Sequence, residues 1–137
     1  MTAPDLSRPV VLVAEDEALV RMLAHDALTD AGFHVIEAAH GGEALEILEA
    51  RPEVSAIFSD VDMPVLDGFS LARLIAMRWP DLPILITSGK TSPQMGDLPS
   101  TARFLPKPYR PSDLVNELQA LLRKAGDPER DRARPLH

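Results

Sequence analysis

Short apolar runs alternate along the chain with segments in which apolar residues recur at intervals of three and four positions. The runs are rich in β-branched residues, which is typical of strands buried on both faces of a parallel sheet. The sequence predicts five such strands, over residues 9–14, 33–38, 54–58, 83–87 and 102–105. The other segments have helical periodicity and end at residues that stop helices. Four helices are predicted, from 18 to 31, from Gly41-Gly42 to Arg51, from Asp67-Gly68 to Trp79 and from 111 to 122.

Strands that alternate with helices indicate a sheet covered on both sides, because parallel neighbours need crossover connections. We therefore expect an α/β domain of three layers around a doubly wound, five-stranded parallel sheet. Residues 90–100 depart from the alternation, because Pro93, Gly96 and Pro99 interrupt the segment where another helix is expected. Proline and glycine disfavour helix, so a short or irregular fourth helix of at most about one turn is predicted there.

The length of 137 residues suits one domain. We expect that domain over residues 9–125, with an N-terminal extension at 1–8 and a flexible, mixed-charge tail at 126–137. The 21 acidic and 14 basic side chains give a net charge of −7, the wrong sign for binding nucleic acid backbones. A chain without cysteine has no disulfide scaffold and no cysteine nucleophile. No membrane span or secretory signal is recognisable, so a cytoplasmic protein is expected.

Polar side chains that carry chemistry follow four of the predicted strands. They are Glu15-Asp16-Glu17 after the first strand, Asp60-Val61-Asp62 after the third, Ser88-Gly89 after the fourth and Lys107-Pro108 after the fifth. In an open α/β sheet, ligands bind at the carboxyl ends of the strands, so these side chains are expected to converge at one edge.

Carboxylates gathered at one edge repel one another unless a cation or a proton offsets their charge. Oxygen ligands suit Mg²⁺, which retains open positions for water and phosphate. Lysine adds a positive point charge that suits phosphoryl oxygens. The pattern of residues therefore predicts a phosphoryl-transfer site that uses Mg²⁺.

These residues resemble those of the receiver domains of two-component response regulators, and the resemblance covers nearly the whole of residues 9–125. The resemblance rests on four features: an acidic pair after the first strand, an aspartate and a turn after the third, a hydroxyl residue after the fourth and a lysine after the fifth. The matching residues are Glu15-Asp16, Asp60, Met63-Pro64, Asp67-Gly68, Ser88-Gly89 and Lys107-Pro108. Their shared order and spacing imply a flavodoxin-like fold.

The resemblance implies a role for each residue at the strand ends. Asp60 would accept a phosphoryl group from a histidine kinase and form an aspartyl phosphate. Glu15, Asp16, the Asp60 carboxylate and the backbone carbonyl of Asp62 would hold Mg²⁺ directly or through water. Lys107 would contact the phosphoryl oxygens. Glutamate at position 15, where many receivers have aspartate, lengthens one metal arm by a methylene group.

The resemblance also implies a conformational switch. Ser88 would donate its hydroxyl hydrogen to the phosphoryl group, and Phe104 would take the place of the aromatic residue that turns inward with it. The bond between Lys107 and Pro108 is usually cis in this family. We hypothesise that residues 90–101 become ordered when Ser88 is drawn towards the phosphoryl group.

The sequence leaves alternative interpretations open for the function and for two of the acidic residues. The Asp60-Val61-Asp62 motif also resembles the Asp-x-Asp motif of haloacid-dehalogenase-type phosphatases, although that motif normally follows the first strand of a larger domain. A degenerate receiver that binds partners without phosphorylation is a further alternative. Glu17 is interpreted as a solvated helix start. The Asp62 side chain is either a turn residue or a group that steers the hydrolytic water.

The implied partners are a histidine kinase or phosphotransfer protein and a downstream protein that the sequence does not identify. Only thirteen residues follow Lys124, so we expect a stand-alone receiver that signals by protein–protein interaction. Neither nucleic acid nor membrane is expected to bind directly, and homodimer formation is left open. Such a domain would be a phosphoacceptor in a phosphorelay, limited to its own phosphorylation and dephosphorylation, and not an enzyme in the usual sense.

Overall fold

The computed structural model describes residues 8–94 and 97–125. Residues 1–7 of the predicted extension and the whole predicted tail, 126–137, lie outside the described residues. The strands are β1 (Val10–Ala14), β2 (His34–Ala38), β3 (Val54–Asp60), β4 (Ile84–Ser88) and β5 (Ala102–Pro106). The helices are α1 (Ala18–Asp30), α2 (Gly41–Ala50), α3 (Gly68–Arg78) and α4 (Pro111–Ala125). All five predicted strands and the four helices predicted from periodicity are present, with β3 two residues longer than predicted and α4 three residues longer. The short or irregular helix predicted in residues 90–100 does not form within residues 89–94 and 97–101.

The five strands form one parallel sheet in the order β2-β1-β3-β4-β5. This arrangement confirms the predicted doubly wound α/β fold. Strand order reverses between β1 and β3, and in such sheets the crevice at the reversal is where ligands bind. The register pairs Ala14 with Ser59 and Asp60 with Thr87, so the carboxyl ends of β1, β3 and β4 reach the same level.

Side chains alternate between two cores on opposite faces of the sheet. In β1, Val11 and Val13 pack in the core that contains α1 and α4, whereas Leu12 and Ala14 pack in the core that contains α2 and α3. All four are almost completely buried, which explains why this strand has an uninterrupted apolar sequence. The sheet is therefore a rigid support whose strand ends hold the polar residues in place.

The connection from β4 to β5 contains no helix within residues 89–94 and 97–101. Its proline residues explain this, since proline lacks the backbone donor that a helix interior needs. Asp97 closes a turn instead: its backbone N–H donates to the Gln94 carbonyl and its carboxylate accepts from the Gln94 N–H. Leu98 packs against the α2/α3 core. Gly96 and its neighbour at position 95 lie outside the described part of this connection.

Candidate functional site

The structure brings the predicted site residues together at the carboxyl edge of the sheet. Glu15 directly follows β1, Asp60 ends β3, Ser88 ends β4 and Lys107 directly follows β5. Glu15 and Asp60 are only 5% and 6% exposed, although both are acidic. Buried carboxylates need a partner charge, a hydrogen-bond donor or a proton. The edge therefore concentrates negative charge in a place shielded from water.

Glu15, Asp16 and Asp60 form a cluster in which one carboxylate oxygen from each residue lies within 4.8 Å of the others. Asp16 is exposed and gives the cluster access to solvent. Oδ1 of Asp60 is buried and has no hydrogen-bond partner among the described residues. An orphaned oxygen beside two further carboxylates fits a hard divalent cation such as Mg²⁺.

The position of Glu15 is fixed by backbone hydrogen bonds on both sides. Its N–H donates to the Ala38 carbonyl at 3.0 Å, and its own carbonyl accepts from Nη1 of Arg21 at 2.7 Å. Its carboxylate accepts from the Glu17 N–H at 3.0 Å. Burial, together with the nearby charge of Asp60, raises the pKa of Glu15 to about 7. In the absence of a cation, this carboxyl group therefore competes for a proton near neutral pH.

Lys107 supplies the positive charge at this edge. Its Nζ lies 3.4 Å from Oδ1 of Asp60 and 3.9 Å from Oε1 of Glu15. The Lys107-Pro108 peptide bond is cis, and the Lys107 N–H donates to the Ser88 carbonyl. Gly89 leaves room for the lysine stem, because a Cβ there would lie 3.3 Å from the lysine Cβ. The cation thus faces the two most buried carboxylates.

Ser88 is 3% exposed, and its hydroxyl group bonds away from Asp60. The hydroxyl donates to Oδ2 of Asp62 at 2.8 Å and accepts from the N–H groups of Lys90 and Thr91. Phe104 is half-buried in β5, where it packs against the α2/α3 core. The structure thus places the predicted hydroxyl beside the site and the predicted switch aromatic one strand further out.

The turn after β3 holds the start of α3 close against the end of β3. Asp67 caps α3 by accepting from the Ser70 N–H at 2.9 Å. Gly68 packs so tightly that a Cβ there would lie 2.5 Å from the Asp60 carbonyl oxygen. Between them and Asp60, Val65 adopts a positive φ of 69° and is fully exposed. Such a backbone is strained for a β-branched residue and is held by the surrounding turn.

Three features of the site were not predicted from the sequence. Arg21 holds the Glu15 carbonyl and also forms an ion pair with Glu37 on β2. The Asp62 carboxylate contacts Ser88, whereas only the Asp62 backbone was assigned a ligand role. Tyr109 packs edge-on against Phe58 beside the lysine turn, and burial, with the charges of the acidic cluster, raises the pKa of Tyr109 to about 12.

The rim of the site is apolar on the side of α1. Leu19, Met22 and Leu23 are at least half exposed there, although they are large hydrophobic residues. Beside them, a groove of about 620 Å³ runs between α1 and the turn that leads into α4, and it is lined by Leu23, Lys107, Pro108 and Tyr109 among others. Glu17, at the N-cap position of α1, is exposed and forms no side-chain capping bond.

The comparisons with known proteins agree with this fold and site. The family model described as the response regulator receiver domain matches residues 11–119. The chain therefore belongs to the response regulator receiver domain family and is a phosphoacceptor domain of two-component signalling. The match favours neither the phosphatase alternative nor a receiver that works without phosphorylation. Within the described residues, no helix is long and apolar enough to cross a membrane.

Among curated relatives, the chain is 36% identical to the response regulator receiver protein CpdR of Brucella abortus over 82% of this chain and 95% of CpdR. It is 41% identical to the sensor kinase CckA of the same organism, over 89% of this chain but only 13% of the kinase. A receiver protein structure from Sinorhizobium medicae superimposes with a TM-score of 0.82 at 27% identity, over 88% of this chain and 99% of that one.

Proposed function

We propose that Asp60 is the residue that accepts the phosphoryl group. The observation that carries this proposal is the buried Oδ1 of Asp60, which accepts no hydrogen bond from the described residues and lies beside two further carboxylates and 3.4 Å from the Lys107 ammonium. Attack by an Asp60 oxygen on a phosphohistidine forms a P–O bond and breaks the P–N bond, with the imidazole as leaving group. The donor would be a histidine kinase or a phosphotransfer protein.

Each neighbour of Asp60 has a distinct part in this proposal. Glu15, Asp16, the Asp60 carboxylate and the Asp62 backbone carbonyl would hold Mg²⁺, which when bound supplies positive charge to the phosphoryl oxygens. Lys107 contacts the same oxygens from the β5 side. Its ammonium already lies 3.4 Å from Oδ1 of Asp60, so little movement is needed when the phosphoryl group arrives.

The phosphodonor must reach Asp60 past the rim of the site. On the α1 side that rim carries the exposed Leu19, Met22 and Leu23, and an apolar rim suits a helical protein surface that presents a histidine. The similarity to the receiver part of a hybrid histidine kinase, 32% identical over 82% of this chain, supports a donor of this class. Since such kinases take their phosphoryl group from ATP, we place the reaction in the cytoplasm.

The output proposed for the phosphorylated domain is a protein–protein interaction. Movement of the Ser88 hydroxyl towards the phosphoryl group would release the N–H groups of Lys90 and Thr91 at the start of the β4–β5 connection, so these two residues would lose a restraint rather than gain the order hypothesised from the sequence. Phe104 packs on the same side of the sheet as Leu98 in that connection, so an inward turn of its ring would alter the same surface. Unchanged amide exchange in residues 90–101 with a phosphate mimic would contradict this part of the proposal.

Two substrates separate a phosphoacceptor from a phosphatase. With acetyl phosphate and Mg²⁺, we expect one phosphoryl group per chain by intact mass spectrometry, and no label after chelation of the metal. With p-nitrophenyl phosphate, we expect no sustained turnover, because no cap covers this site in the described residues and the Asp62 carboxylate, at the position of the general acid in the Asp-x-Asp phosphatase motif, accepts the Ser88 hydroxyl hydrogen instead. Sustained hydrolysis of that ester would contradict the proposal.

A further inference from the structure

The hydrogen-bonding capacity of the Ser88 hydroxyl is fully used. A hydroxyl group has one donor hydrogen and two acceptor lone pairs. Here the hydrogen goes to Oδ2 of Asp62 at 2.8 Å, and the lone pairs accept from the Lys90 N–H at 3.1 Å and the Thr91 N–H at 2.9 Å. The direction of the first bond is fixed, since an ionised carboxylate can only accept.

A phosphoryl group on Asp60 would also need that hydrogen. Phosphoryl oxygens are acceptors, so Ser88 can donate to them only by giving up its bond to Asp62. The bond that is lost has a charged acceptor, and such bonds are about twice as strong as neutral ones. In that exchange Ser88 trades one acceptor for another, whereas the half-buried Asp62 carboxylate loses its donor, and the free energy of that lost bond opposes the exchange.

We propose that the Asp62 carboxylate is a positioning residue that holds Ser88 in its resting position and competes with the phosphoryl group for the Ser88 hydroxyl hydrogen. This inference rests on the proposed function of Asp60. It assigns the Asp62 side chain a task separate from its backbone carbonyl, which would be a metal ligand in the proposed site. The Asp62 side chain therefore sets how much binding energy the phosphoryl group must supply before the β4–β5 connection is released.

Asp62→Ala removes the competing acceptor. With beryllofluoride and Mg²⁺ as the phosphoryl mimic, we expect the variant to bind about tenfold more tightly than the wild type, the effect of one charge-assisted hydrogen bond. Part of any gain could come from removing a negative charge near an anion. Asp81→Ala is the matched control for net charge, because Asp81 is exposed before β4, at the opposite edge of the sheet.

A double-mutant cycle with Ser88→Ala separates the two causes. Charge repulsion by Asp62 does not need the hydroxyl, so it would give the same gain with serine or alanine at position 88. The proposed competition needs the hydroxyl, so the gain from Asp62→Ala should disappear in the Ser88→Ala background. An equal gain in both backgrounds would overturn the proposal.

Amide exchange of the metal-free, unphosphorylated protein tests the restraint without any phosphoryl mimic. We expect faster exchange at Lys90 and Thr91 in Asp62→Ala, because their acceptor is no longer held in place. The Lys107 N–H, which donates to the Ser88 backbone carbonyl, should be unaffected. Unchanged exchange at both positions would contradict the restraint itself, whereas failure of the wild type to bind beryllofluoride would contradict the proposed function.

Discussion

The Lys107 ammonium lies 3.4 Å from Oδ1 of Asp60, an oxygen that has no hydrogen-bond partner among the described residues. The contact joins the ends of two strands that are not neighbours, since β4 lies between β3 and β5. Prolines on both sides of the lysine limit the backbone conformations that could move its Cα. The ammonium therefore reaches the proposed nucleophile from a restricted stretch of backbone.

Lys107→Ala should separate phosphoryl transfer from metal binding. The variant loses the ammonium that contacts the phosphoryl oxygens, so labelling by acetyl phosphate should slow by at least about tenfold. Mg²⁺ binding should persist, because all the proposed ligands remain and the site is more negative. Lys90→Ala, at an exposed lysine in the β4–β5 connection, is the control and should be labelled at the wild-type rate. Labelling of Lys107→Ala at that same rate would remove lysine from the mechanism.

Mg²⁺ should stabilise the folded protein, because the unfolded chain does not assemble the acidic cluster. At a concentration one hundred times the dissociation constant, the stabilisation is about 2.7 kcal/mol, which a thermal melt detects as a rise of several degrees. Asp16→Asn should weaken this response. Glu17→Gln makes the same change of charge one residue away, outside the cluster, and should retain it. Equal responses in the two variants would argue against the proposed ligand set.

The pKa of Glu15 predicts how the stability of the metal-free protein depends on pH. The pKa of Glu15 is about 7 in the folded protein and 4.5 for an unperturbed glutamate, the value taken for the unfolded chain. Between pH 4.5 and 7, the folded state therefore holds a proton that the unfolded state has lost. The stabilisation from this proton is complete below pH 4.5 and is lost as the pH rises through about 7, with a total on the order of 3 kcal/mol.

Urea unfolding of the wild type and of Glu15→Gln isolates this effect from the other titrating groups. Glutamine resembles the protonated side chain at every pH, so the variant should gain stability relative to the wild type as the pH rises from 4.5 to 7. Saturating Mg²⁺ should reduce the difference, because the cation replaces the proton. A difference in stability that is constant over this range would show that Glu15 titrates as an ordinary glutamate.

Gly68→Ala tests the packing of α3 against the end of β3. Its new Cβ would lie 2.5 Å from the Asp60 carbonyl oxygen and 2.8 Å from Cα of Val61, which are backbone atoms that cannot rotate away. The helix or the strand end must shift, at a cost of about 1–3 kcal/mol. Chemical denaturation measures this cost, and slower labelling of Asp60 is expected with it.

Gly42→Ala is the control for that substitution, since its Cβ would meet only side-chain atoms of His40, at 3.3 Å and beyond. It occupies the first turn of α2, where alanine is the better helix former. We expect its free energy of unfolding to lie within about 1 kcal/mol of the wild type. A similar loss of unfolding free energy in both variants would mean that the close contact of Gly68 with the end of β3 is not the reason that alanine destabilises the protein there.

The sequence predicted the fold and the placement of the acidic cluster because both depend on patterns that repeat along the chain. Once β1 and β3 are recognised as buried parallel strands, Glu15 and Asp60 must emerge at the same edge. The bond between Ser88 and Asp62 could not be predicted, since it depends on side-chain rotamers and on the turn after β4. The hydrogen bond from Arg21 to the Glu15 carbonyl could not be predicted either. Helical periodicity indicates which side of α1 Arg21 lies on, but it does not identify the atom that Arg21 contacts.

The measurement that tests the central claim most directly is mass-spectrometric location of the phosphoryl group after treatment with acetyl phosphate and Mg²⁺. The wild type should carry the group on Asp60, and Asp60→Asn, which keeps the shape of the side chain, should carry none while showing a native circular dichroism spectrum. Asp62→Asn makes the same change two positions away and should still be labelled on Asp60. Labelling of Asp60→Asn to the wild-type extent would contradict the assignment of Asp60 as the phosphoacceptor.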